Sequence, residues 1–197
     1  MLPILTPSAA YGCIELIQYL SKEQVIKSQV LELNFGPIPT SLLIKYAMSL
    51  NWIRLNEDGA LSLRKRGLSC LEIEPAVGKL RFLLGDFIRS CGSPWVQLVR
   101  QGRSAFLIQG PPEITQLLHE ANLASSTDDD TVHFWDNLSM FVRKSRDEKL
   151  LLIGRSGEKL SMAYEEARVG VRPKWVALES DNFGYDILSQ LSVEDPS

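Results

Sequence analysis

Two carboxylates near the C-terminal end of this chain stand in a setting that suits chemistry. Glu158 follows Gly154-Arg155-Ser156-Gly157 at the expected start of a helix, and Asp186 lies within Gly184-Tyr185-Asp186-Ile187-Leu188-Ser189, which reads as a strand. Between them Arg172-Pro173-Lys174-Trp175-Val176 supplies a turn and another strand. A glycine-rich turn, a helix with an early carboxylate and a strand with a central aspartate can build half of a metal site, because hard divalent cations take carboxylate oxygens. Plainer roles fit the same residues. At about 100° per residue, Leu160, Ala163, Tyr164 and Ala167 form one helix face, with Glu158 nearly opposite. Glu158 then either reaches toward the sheet edge or is a solvent-exposed carboxylate complementing the helix dipole. Asp186 is a metal ligand or a surface or turn acid, while Trp175 and Tyr185 read as core aromatics.

Other chemistries lack their residues. His119 and His133 have no second His, Cys or Glu at ligand spacing, so each reads as packed or on the surface. Cys13, Cys70 and Cys91 are odd in number and far apart, which gives neither a disulfide framework nor a Cys-x-x-Cys metal pattern. Asp128-Asp129-Asp130 lacks the glycine and distal glutamate of a calcium loop and reads as helix capping. Nucleophile-elbow, phosphate-loop and dinucleotide fingerprints do not occur.

The elements that must position Glu158 and Asp186 come earlier. The chain has 197 residues, 45% hydrophobic and 23% charged, enough apolar material for one or two cores. No run approaches the roughly 18 apolar residues of a membrane span, and Met-Leu-Pro-Ile-Leu lacks a basic leader region, so a reducing cytoplasm is expected. The net charge is −3. Residues 1–67 hold seven Lys/Arg against five acids, leaving this part at +2 and the remainder at −5; it is the only electrostatic footprint for nucleic acid.

Apolar spacing predicts helices over Tyr11 to Leu20 and Lys22 to Leu33. Gly36-Pro37-Ile38-Pro39 ends the second, and Thr40 or Ser41 can cap a third reaching Leu50. Trp52-Ile53-Arg54-Leu55 and Ala60-Leu61-Ser62-Leu63 alternate about Asn56-Glu57-Asp58-Gly59, a hairpin. Three helices and a two-stranded wing, with Leu50-Asn51-Trp52-Ile53-Arg54 and closing Arg66-Gly67, resemble a winged helix-turn-helix domain over a third of the chain. The resemblance implies that the third helix enters the DNA major groove while the wing touches backbone. Lys45, Arg54 and the trio Arg64-Lys65-Arg66 are the candidate nucleic-acid contacts. The third helix has one cation, some hydroxyls and no Arg, Asn or Gln before Asn51, a poor base-reading surface, so protein docking stands as an equal use of the domain.

Residues 68–147 read as helical. Ala76 to Cys91 is amphipathic, Gly92-Ser93-Pro94 breaks it, Trp95 to Val99 starts a short helix, and Ala105 to Ile108 is strand or helix. Pro111-Pro112 opens a helix from Glu113 to Asn122, and Ser125 to Asp130 is a polar break.

The C-terminal run, with Gly154 to Leu160, Tyr164-Glu165, Arg172 to Val176 and Gly184 to Ile187, resembles the NO VEIN C-terminal domain family over residues 150–191. That family is similar to restriction-endonuclease-like nucleases and is linked to prokaryotic restriction and phage defence. The resemblance implies Asp186 as a metal ligand, Glu158 as a second catalytic acid, and Mg²⁺ as the cofactor of a completed domain. Its Glu-x-Lys strand would fall beyond Ser197, so this length of chain is expected to be inactive as a nuclease.

The expected architecture is α+β and mainly helical: a winged helix at 1–67, a helical region at 68–147 and an incomplete nuclease-type segment at 148–197. Two functions fit. One is a DNA-associated, restriction-like defence protein whose winged helix docks on DNA or a partner. The other is a non-enzymatic DNA-binding or adaptor protein. A partner protein or self-association through the C-terminal segment is expected, because a sheet lacking a strand leaves unpaired edge groups; no membrane partner is.

Overall fold

The computed structural model describes residues 3–22, 25–175 and 186–190. The fold is mainly helical, with 66% of the described residues in helix, and carries small antiparallel sheets. The chain divides into two compact units, Met1–Val142 and Arg143–Ser197.

Helix α1, Pro7–Leu20, starts before the apolar period becomes visible. Thr6 accepts from the Ala9 N–H at 3.2 Å, and Pro7 occupies the first turn, where no N–H is needed. Gly12 faces α3, Thr40–Ser49; a Cβ there would lie 2.8 Å from the Phe35 carbonyl oxygen and 2.9 Å from Leu43 Cδ1, so the two helices approach over bare backbone.

The expected second helix is a strand followed by a short helix, β1 (Val25–Ile26) and α2 (Lys27–Leu31). Val25 and Ile26 pair with Leu61 and Ala60 of β3, Ala60–Leu63, so cross-strand pairing of two β-branched residues overrides their helical spacing. Strand β2, Ile53–Leu55, pairs on the other side of β3, giving the order β1-β3-β2. Gly59, at φ +80°, makes the expected hairpin turn. Thr40 does not cap α3: its hydroxyl donates to the Leu33 carbonyl at 2.6 Å, and Pro39 is the cap residue.

Helix α4 (Lys65–Leu71) holds the expected boundary at residue 67, and α5 (Ala76–Ser90), a 3-10 helix (Pro94–Gln101), α6 (Arg103–Gln109) and α7 (Pro112–Glu120) follow. Helix α1 packs on α3, α4, α5 and α7, so residues on either side of that boundary share one core. Its aromatic members include Tyr46 against Phe87 (6.2 Å between centroids) and Phe106 against Trp135 (5.8 Å).

After α7 the chain crosses residues 121–128, pinned by side-chain donors: Arg81 Nε to the Ala121 carbonyl at 2.8 Å, Trp135 Nε1 to Leu123 at 2.9 Å and Arg103 Nη1 to Ser126 at 2.5 Å. Asp128 accepts from the Thr131 N–H at 2.7 Å, so the aspartate triplet does cap a helix. That helix, α8, spans Asp129–Val169. The expected turn at Gly154-Arg155-Ser156-Gly157 is helix interior. Each glycine costs about 1 kcal/mol relative to alanine, too little to stop a cooperative helix flanked by strong formers. Beyond α8, β4 (Lys174–Trp175) pairs antiparallel with β5 (Ile187–Leu188).

Candidate functional site

In the C-terminal unit Glu158 comes from α8 and points at the hairpin. Its Oε2 accepts from Arg155 Nη1 at 3.0 Å and from the Trp175 indole N–H, and its side chain is 16% exposed. The Arg155 guanidinium lies over the Trp175 ring, 5.5 Å from the centroid. Glu165, two turns on, accepts from Arg168 and from the Ser189 hydroxyl at 2.7 Å, and Arg168 also donates to the Gln190 carbonyl at 2.9 Å. The hydrogen bond from Arg168, then that from Ser189, holds the Glu165 carboxyl below the usual carboxylate range.

The helix is thus turned over relative to one sequence expectation. The side bearing Arg155, Glu158 and Glu165 meets the hairpin, with Met162 and Val169 buried on it, whereas Leu160 and Tyr164 face solvent at 74% and 67% exposure. The reason is local: two arginine–carboxylate pairs satisfy the polar groups on the covered side, and Trp175 stacks on one of them.

Asp186 is exposed, one residue before β5. Gly184, Tyr185 and Val176 lie outside the described residues. Among the described residues no group of three or more His, Cys, Asp or Glu could hold a metal ion. The Oε2 of Glu158 is engaged by two donors, Arg155 and the Trp175 indole N–H.

The cations of the N-terminal unit fall into two groups. Lys45 on α3, Arg54 on β2, and Arg64 and Lys65 where the hairpin enters α4 are all exposed. No carboxylate pairs with any of these four among the described residues; Arg54 Nε donates to the Ser62 hydroxyl at 3.1 Å. Arg66 is different. Its guanidinium forks onto Asp86 and lies 4.0 Å from the centroid of the Phe82 ring. The hydrogen bond to Asp86 raises the Arg66 pKa above its ordinary value, although burial acts the other way. The Asp86 hub, which also accepts from Trp52 Nε1 at 2.9 Å, has no counterpart among the residues that spacing and motif single out. An acid among apolar neighbours on α5, at Asp86 between Leu83, Leu84, Phe87 and Ile88, was the available signal.

His119 and His133 are both exposed. No helix among the described residues is long and apolar enough to cross a membrane. Compared with protein-family models, curated proteins and solved structures, the chain has no significant match.

Proposed function

We propose that the N-terminal unit docks on the phosphate backbone of duplex DNA as a winged helix, with Lys45, Arg54, Arg64 and Lys65 as its contacts. The observation that carries this reading is the contrast at the end of the hairpin: Arg66 is neutralised internally by Asp86, whereas Arg64 and Lys65 beside it stay exposed without an acidic partner among the described residues. The element order α1-β1-α2-α3-β2-β3, with β1 closing onto β3, supports the winged-helix reading. The exposed positions of α3 are Ser41, Lys45, Met48 and Ser49, which suit backbone contact more than reading of base edges. Binding is therefore of low sequence specificity and steep in salt.

A mobility-shift titration at several salt concentrations tests it. Replacing Arg64 and Lys65 by Ala should weaken binding to all sequences alike and flatten the log–log salt slope by roughly 1 for each phosphate no longer neutralised. No binding at low salt would sink the reading.

Protein docking through the same surface is the second reading, favoured by Met48 and Leu55, which are 41% and 42% exposed. A restriction-like defence setting comes from the NO VEIN resemblance alone.

A further inference from the structure

In the N-terminal unit, α5 and the first turns of α8 leave a groove of about 290 Å³ between them, lined by Arg81, Phe82, Arg89, Asp130, Phe134 and Asn137 among others. That volume is at the lower end for small-ligand sites, room for a single ring and its substituents. The two helices stand turn beside turn. Arg81 meets Asp130 at 4.0 Å, and Gly85, one turn on, has the Phe134 ring beside it. Arg89 and Asn137 follow at the next turn. The groove therefore has two polar ends, with Phe82 and Phe134 between them.

The ends differ in charge. Arg81 is engaged: its Nε donates to the Ala121 carbonyl at 2.8 Å, and Asp128 and Asp130 both face its Nη1, which leaves that end acidic. At the other end Arg66 and Arg89 share the single carboxylate of Asp86, which leaves that end basic. Asp86 already accepts from Arg66 on both oxygens and from the Trp52 indole, and its Oδ1 lies 3.7 Å from Arg89 Nη2, beyond hydrogen-bond reach. Arg89 makes no hydrogen bond among the described residues. Its place in the last turn of α5 would suit capping of the free carbonyls there, but the guanidinium runs back along the helix instead. It lies against Gly85, where a Cβ would be 2.9 Å from Nη2 and 3.4 Å from the Phe134 ring. Burial lowers the Arg89 pKa, although Asp86 acts the other way. A guanidinium only 33% exposed, with open donors beside an aromatic wall, is a receptor for a planar carboxylate.

We propose that this groove binds a small aromatic carboxylate, with the carboxylate on Arg89 and Asn137 and the ring along Phe82 and Phe134. The acidic end favours a hydroxyl or amine across the ring, donating to Asp130, over a second carboxylate. The inference is independent of DNA docking, since it uses none of Lys45, Arg54, Arg64 and Lys65.

Titration calorimetry of the full chain with para-hydroxybenzoate should show saturable binding. Benzamide keeps the ring without the charge, and acetate keeps the charge without the ring; each should bind at least about tenfold more weakly. Terephthalate, with a second carboxylate facing Asp130, should also be weaker. Arg89→Gln should lower the affinity at least about tenfold, since a charged hydrogen bond is lost. Because Arg89 also neighbours Asp86, Asn137→Asp serves as a second variant. Asn137 is exposed, and the new acid sets a like charge beside the bound carboxylate, so binding should weaken with the thermal midpoint unchanged. No saturable binding of para-hydroxybenzoate overturns the proposal. So does benzamide, acetate or terephthalate binding as tightly, or an affinity indifferent to both Arg89→Gln and Asn137→Asp.

Discussion

Arg66 and Asp86 are joined by two parallel hydrogen bonds, Nε to Oδ2 at 2.8 Å and Nη2 to Oδ1 at 2.6 Å, and Oδ2 also takes the Trp52 indole N–H. The fork ties α4 to α5 and fixes the fully buried Trp52 between the sheet and α5. Asp86→Ala would strand the indole N–H and leave Arg89, 3.7 Å away, without its counter-charge. Urea unfolding should register a loss of about 3 kcal/mol. Arg66→Ala should cost less, about 1 kcal/mol, because its side chain is 43% exposed and solvent screens the pair. Nucleic-acid affinity, in contrast, should follow Arg64 and Lys65 and be insensitive to Arg66.

Asp128 caps α8 and is bonded to Ser126, Thr131 and Arg81. The Ser126 hydrogen bond, followed by the Thr131 backbone N–H, lowers its pKa below the ordinary 3.8. A depressed carboxyl pKa means stabilisation that is complete above 3.8 and lost as pH falls through the lower folded-state value. Asp128→Ala should therefore melt below the parent at neutral pH, and the gap should close in strong acid. A gap that persists there would show that the cap acts without its charge.

Cys13 and Cys70 carry the opposite sign. Burial pushes both thiols from 9.0 up to about 12. The folded chain therefore holds these protons more tightly than the unfolded one, so the stabilisation is complete below 9.0 and drains away as pH rises toward about 12. The urea midpoint should fall over this alkaline range, and less steeply in Cys13→Ala. A thiol reagent applied to the native protein near neutral pH should modify Cys91, which is only partly buried, ahead of the other two.

Gly67 sits in α4 with its Cα against the Trp52 backbone. A Cβ there would lie 2.6 Å from the Trp52 carbonyl oxygen and 3.3 Å from Leu63 Cδ2. Alanine improves helix propensity by about 1 kcal/mol, but backbone cannot yield as a side chain can, and overpacking of this kind costs about 1–3 kcal/mol. Gly67→Ala should lower the thermal midpoint; a rise would mean that α4 shifts freely.

Local signals lead to the right elements wherever the chain itself decides them. Pro112 at the first turn of α7, the β2–β3 hairpin about Gly59 and the amphipathic α5 all follow from neighbours in sequence. Where a distant partner decides, the pattern misleads. Val25 and Ile26 lie on a helical period but pair with Leu61 and Ala60. Glu158 does lie opposite the apolar face of its helix, as the spacing predicts, but the apolar face is not the covered one. Apolar residues mark a side that can be buried; only Arg155 and Trp175, three and seventeen residues away, show that the carboxylate side is. The Asp86 hub is hidden for the same reason, since its donors are 34 and 20 residues distant.

Gly154 and Gly157 have a last consequence as residues inside α8. A Cβ at Gly157 would meet nothing within 4 Å and one at Gly154 only the Glu158 carboxylate at 3.9 Å, so neither glycine is required by packing within the chain. Together they subtract about 2 kcal/mol of helix propensity from a single turn. Hydrogen exchange should therefore find the amides of that turn opening first, taking up deuterium ahead of the turns on either side.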